Sequence, residues 1–141
     1  VKAIALLALF TALASCKQKP SFEAEKEMFY REANARGCIV QPVDIYFARL
    51  DAAGYCVPNF GILIDETLWE SFGPLQRREV VFHELAHCVF GAEHSKLGLM
   101  TPSMHDEAHL EAVWDTYVDL LFTDCLTFHA LMDAINEKGG E

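Results

Sequence analysis

Positive charge is scarce in this chain. Eleven lysines and arginines stand against 21 aspartates and glutamates, giving a formal net charge of −10 over 141 residues. Such an acidic excess argues against nucleic acid, or an anionic membrane face, as a partner, because each would repel it. Also missing is a long hydrophobic run. A permanent spanning helix needs about 20 apolar residues, and the run from Ala3 to Ala14 falls short of that. No tract is biased enough for a fibre or for general disorder, and no internal repeat is present. The five cysteines include no CxxC pair, so a zinc knuckle is excluded. What remains is the length of one modest domain, with enough aliphatic and aromatic residues for a globular core.

The N-terminus departs from that picture. Lys2 precedes the apolar run, as in a secretory signal. The run ends in Leu13-Ala14-Ser15-Cys16, which resembles the lipobox of bacterial lipoproteins. The resemblance implies a signal peptide over residues 1–15, a lipidated Cys16, a tether over 16–21, and a single compact domain over 22–141. It further implies export and a lipid anchor in the bacterial cell envelope. With no aspartate beside Cys16, it points to the outer membrane rather than the inner. The competing reading is a buried N-terminal helix. Outside the cytoplasm, Cys38, Cys56, Cys88 and Cys125 are free to form disulfides, in any of three full pairings. Cys88 and Cys125 sit in apolar helical settings and fit buried free thiols equally well.

Periodicity outlines an α+β domain. Residues 22–35 read as a helix carrying Phe22, Met28, Phe29 and Ala33 on its apolar stripe, ended by Gly37. Residues 39–50, broken by Pro42, alternate as a strand, and Asp51–Gly54 reads as a turn. Residues 55–65 read as a second strand, and Pro58 and Gly61 suit an edge. A short helix over 66–72 is broken at Gly73-Pro74. A longer helix follows from about Leu75 to Phe90, with Gly91 as its C-cap. Residues 94–105 form a loop. Asp106 caps a long final helix over 107–135, whose buried stripe is Leu110, Val113, Trp114, Tyr117, Leu120, Leu121 and Leu126.

The helix of residues 75–90 is apolar on most sides and therefore expected to be buried. Yet it holds two of the chain's six histidines, in the pattern His83-Glu84-Leu85-Ala86-His87. Residues four apart share a helical face, so both imidazoles can reach one zinc ion. Glu84, turned partly round the helix, can reach water at the metal without ligating it, which is the position of a general base. A third ligand is needed. His94 is the first candidate, because Gly91 lets the chain turn back. Glu107 and Glu111 are the next, and Asp106, His105 and His109 stay open. His129 reads as an ordinary core or surface histidine.

The segment His83–His94 reads HExxHxxxGxxH and resembles the zinc signature of the metzincin metallopeptidases, with one extra residue between His87 and Gly91. Leu99-Met100-Thr101-Pro102 resembles their Met-turn, with Met104 competing for the role of Met100. The stretch IDETLWESF, followed by VFHELAHCVFG, is similar to short zinc-peptidase lipoproteins of Bacteroidetes-type bacteria. The resemblance covers about residues 39–104. It implies a zincin-like fold, with a small mixed sheet over the active-site helix, a Met-turn-like loop and a long C-terminal helix. It also implies one catalytic Zn2+ on His83, His87 and His94, with Glu84 as general base in peptide-bond hydrolysis. The resemblance further implies a peptide or protein substrate lying extended along an edge strand within 59–64. No tyrosine closely follows Met100 to assist the oxyanion, and Tyr117 is not assigned that role. Two other readings stand beside this one. One is a non-catalytic envelope lipoprotein whose zinc site is structural or vestigial and serves a binding module. The other is a metal-free structural helix.

Overall fold

The computed structural model describes residues 20–138, with 124 and 126–138 described by backbone alone. The expected signal peptide, the lipidated Cys16 and most of the tether lie outside the described residues. Along the chain run α1 (Glu23–Ala35), β1 (Ile45–Ala48), β2 (Gly54–Val57), β3 (Gly61–Asp65), α2 (Glu66–Ser71), α3 (Pro74–Phe90) and α4 (Glu107–Lys138). The result is a small mixed α+β domain. No described helix is long and apolar enough to cross a membrane.

α1 ends as expected. Gly37, at φ 76°, takes the left-handed position that glycine tolerates. There the amide of Cys38 donates to Ala33 and that of Gly37 to Asn34, which satisfies two terminal carbonyls. The strand expected over 39–50 shrinks to Ile45–Ala48. Before it, the Val43 amide donates to the Tyr30 hydroxyl at 2.8 Å instead of to a neighbouring strand.

The second expected strand is a hairpin. Phe60 N–H donates to Val57 O at 3.0 Å, which closes a turn with Pro58 and Asn59 at its centre. Pro58 presets the first central position, and Asn59 accepts the positive φ of 61° at the second. This turn divides 55–65 into β2 and β3 and reverses the edge assignment. β3 is the central strand, parallel to β1 and antiparallel to β2 in the order β1-β3-β2. An extended substrate therefore cannot add along 59–64, because Asn59 and Phe60 lie in the turn and β3 is paired on both sides. Gly61 is there because a Cβ would fall 2.5 Å from the Asp44 carbonyl.

α3 runs through the middle, packed on α1, α4 and the sheet. Phe29 of α1 meets Phe82 and Phe90 of α3 and Phe122 of α4, with ring centroids 5.2–5.8 Å apart. Trp69 of α2 packs against Phe22 and Phe47. In α4 Leu110, Tyr117 and Leu121 of the expected stripe are buried, with Val113 and Trp114 packed beside them. Val118 and Phe122 are buried, whereas Leu120 faces outward. Two disulfides close, Cys38–Cys125 and Cys56–Cys88, so Cys88 and Cys125 are not free thiols.

Candidate metal centre

His83 and His87 stand one turn apart on α3, and Gly91 ends the helix in the left-handed conformation at φ 61°. The helix simply runs on to Phe90, so the extra residue before Gly91 is absorbed without loss of the turn. The chain then comes back and brings His94 to the pair. Each helical imidazole is held through Nδ1. His83 Nδ1–H donates to Leu99 O at 2.7 Å, and His87 Nδ1–H donates to Ala92 O at 2.5 Å. A carbonyl only accepts, so these bonds fix the tautomer and leave both Nε2 lone pairs bare.

Those lone pairs converge. His83 Nε2 lies 3.0 Å from His87 Nε2 and 3.2 Å from His94 Nε2. Bare lone pairs at such distances repel unless a cation sits among them. Ligands at about 2.0–2.1 Å from a tetrahedral zinc ion would stand about 3.3 Å apart, close to the observed spacing. His83, His87 and His94 thus form a cluster that can hold a metal ion. Imidazole donors suit zinc, copper, iron or nickel. Burial depresses the His83 pKa to about 4 and lowers that of His87, so both are neutral at pH 7, as ligands must be.

Glu84 is 6% exposed and faces β2. The Cys56 amide donates to its carboxylate, but desolvation dominates and raises its pKa to about 7. Gly54 makes room for it, since a Cβ there would lie 2.8 Å from Glu84 Cγ. Glu84 and the three histidines line one cavity of about 460 Å³, walled by β2 on one side and by Thr101, Pro102 and Met104 on another.

The other candidate ligands are not part of this cluster. The Glu107 carboxylate accepts from the amides of Leu75 at 2.8 Å and Gln76 at 3.2 Å, at the N-terminus of α3. Asp106 caps α4 by accepting from His109 N–H at 2.8 Å. His109 Nε2 is hydrogen-bonded to the Tyr117 hydroxyl at 3.0 Å. Glu111 is exposed. Met100 is 4% exposed and lines a separate cavity with Leu97, Leu120 and Leu121. Its neighbour Leu99 supplies the carbonyl that holds His83, and Met104, not Met100, lines the histidine cavity.

Sequence reasoning passed over Glu79. At 2% exposure it takes the backbone amide of His105 at 3.1 Å and pairs with that residue's Nδ1. Gln76 Nε2 donates to the His105 carbonyl at 2.9 Å. Together they pin the end of the loop that carries Leu99 and the cavity wall. The signal was present: Glu79, His83 and His87 form one i, i+4, i+8 stripe on an apolar helix.

A family model described as "Putative phage metallopeptidase" matches residues 12–118. The chain belongs to this family. The match to the phage metallopeptidases takes in the sheet, α3, the loop carrying His94 and the first part of α4. No curated protein and no solved structure matches the chain. A member of this family that brings together a histidine triad able to ligate a metal has the potential of an enzyme.

Proposed function

We propose that this protein hydrolyses peptide bonds with one zinc ion, in a metzincin-like arrangement. The observation that carries the reading is the joint placement of a convergent histidine triad and a buried glutamate in one cavity. His83, His87 and His94 would hold the ion through Nε2. Zinc, when bound, polarises the scissile carbonyl and acidifies water. Glu84 takes a proton from the attacking water and hands it to the leaving amine. A carboxyl brought to a pKa of about 7 by burial suits both transfers. The Cys56 amide fixes the direction of that carboxylate.

The peptide lies along β2, not β3. Among the described residues β2 pairs with a strand on one side only, and Gly54, Tyr55 and Cys56 line the histidine cavity. A peptide strand adding there brings a carbonyl past Glu84. Met100 supports the loop whose Leu99 carbonyl orients His83. The lipobox-like Cys16 belongs to the same proposal, as an anchor holding an exported domain in the envelope at the outer membrane.

Glu84→Gln tests the reading. Zinc binding is expected to persist, while hydrolysis across a peptide library falls about 10²- to 10⁴-fold. Zinc held by both forms with no hydrolysis in either would make the site structural, or part of a binding module.

A further inference from the structure

The Cys56–Cys88 disulfide lies where the proposed peptide edge meets the histidine helix. Cys88 directly follows His87 on α3, and Cys56 sits in β2. The backbone amide of Cys56 is also the donor to Glu84. Gly54, two residues earlier, lets β2 come against Glu84 Cγ. One covalent bond therefore ties both the base's hydrogen-bond donor and the open strand edge to α3.

The two disulfides differ in setting. Cys38 and Cys125 are 3% and 0% exposed. Cys56 and Cys88 are half-buried and line a shared cavity of about 280 Å³ beside the β2–β3 turn. A small thiol can reach this second pair first. The triad, by contrast, is oriented by bonds that do not involve the disulfide, from His83 to Leu99 O and from His87 to Ala92 O.

Resting on the peptidase reading above, we propose that Cys56–Cys88 is a positioning element of the active site. It holds the Cys56 amide and the β2 edge against Glu84, and opening it disables hydrolysis while sparing the metal cluster. Opening by a dithiol such as dithiothreitol transfers two electrons and two protons. The protein disulfide becomes two thiols and the reagent becomes its cyclic disulfide.

The test opens this bond in the folded, full chain with graded dithiothreitol. The freed thiols are capped with iodoacetamide, and the reductant is removed. Peptide mass mapping is expected to find Cys56 and Cys88 capped before Cys38 and Cys125. Zinc affinity, by chelator competition, is expected to stay unchanged. The value of kcat falls about tenfold or more, a loss that saturating peptide does not restore. Hydrogen exchange at the Cys56 amide rises about tenfold, while the Leu85 and Ala86 amides keep their rates. The double variant Cys56→Ser/Cys88→Ser, never exposed to reductant, gives the same pattern. Unchanged kcat and unchanged exchange at Cys56 after opening would overturn the proposal, as would loss of zinc in step with activity. If the oxidised protein cleaves no peptide, the peptidase reading fails, and exchange at Cys56 with zinc affinity still decides whether the bond positions β2 against Glu84.

Discussion

Glu84 and His83 pull the pH dependence of the metal-free domain in opposite directions. The His83 pKa falls from 6.5 to about 4 on burial, so the folded state resists a proton that the unfolded chain accepts. Its contribution is present above pH 6.5 and is lost as pH falls towards 4. The Glu84 pKa rises from 4.5 to about 7, so the folded state keeps a proton that the unfolded chain releases. That contribution is present below pH 4.5 and is lost as pH rises through 7. Glu84→Gln removes only the second effect, and the new amide oxygen can still accept from Cys56. Metal-stripped Glu84→Gln is therefore expected to match the parent at pH 4.5. At pH 8 it should exceed the parent's stability by about 1–3 kcal/mol. Urea titration at the two pH values checks this; an equal difference at both would mean that Glu84 ionises as freely in the fold as in water.

Among the elements, α3 carries Glu84 and two of the three clustered histidines, and its N-terminus is held by a residue that sequence spacing offers as a zinc ligand. Glu107 of α4 lies on the amides of Leu75 and Gln76, where the helix dipole and unfilled donors favour an anion. Glu107→Ala is expected to cost about 1–2 kcal/mol, seen as a lower urea midpoint. Zinc affinity should not change, and a large loss of it would return Glu107 to the metal. The contrast shows what the sequence makes legible. Helix α3, its Gly91 cap and the His83/His87 pair depend on spacings within a few residues, and they are read correctly. The place of β3 is a property of three segments at once. Pro58 and Asn59 look like punctuation in an edge strand, but they close a hairpin that sends β3 to the centre. Glu79 shows a polar position in the helical stripe, yet its partner His105 lies 26 residues on. The disulfide pairing is equally non-local, since the bonded cysteines stand 87 and 32 residues apart.

For the molecule as a whole, binding of an ion at the triad would be linked to folding, and the disulfides set how visible that link is. The two bridges close separations of 87 and 32 residues. In the chain-entropy account they restrict the unfolded chain by about 4–5 and 3–4 kcal/mol respectively. The metal-free domain is therefore expected to stay folded, so ligand variants report on the ion and not on collapse of the fold. An ion at 100 times its Kd adds about 2.7 kcal/mol, and for a domain of this size that raises Tm by about 5–15 °C. His83→Ala and His87→Ala should each abolish the zinc-induced rise. His83 and His87 are preset by Leu99 and Ala92, so losing either removes an oriented donor. His94 is exposed, and its replacement should remove most of the rise but leave a remnant from the helical pair. Calorimetry of the oxidised chain with and without zinc makes the comparison. A full rise in His94→Ala would place the third ligand elsewhere, and a rise surviving in His83→Ala would move the ion off α3 altogether.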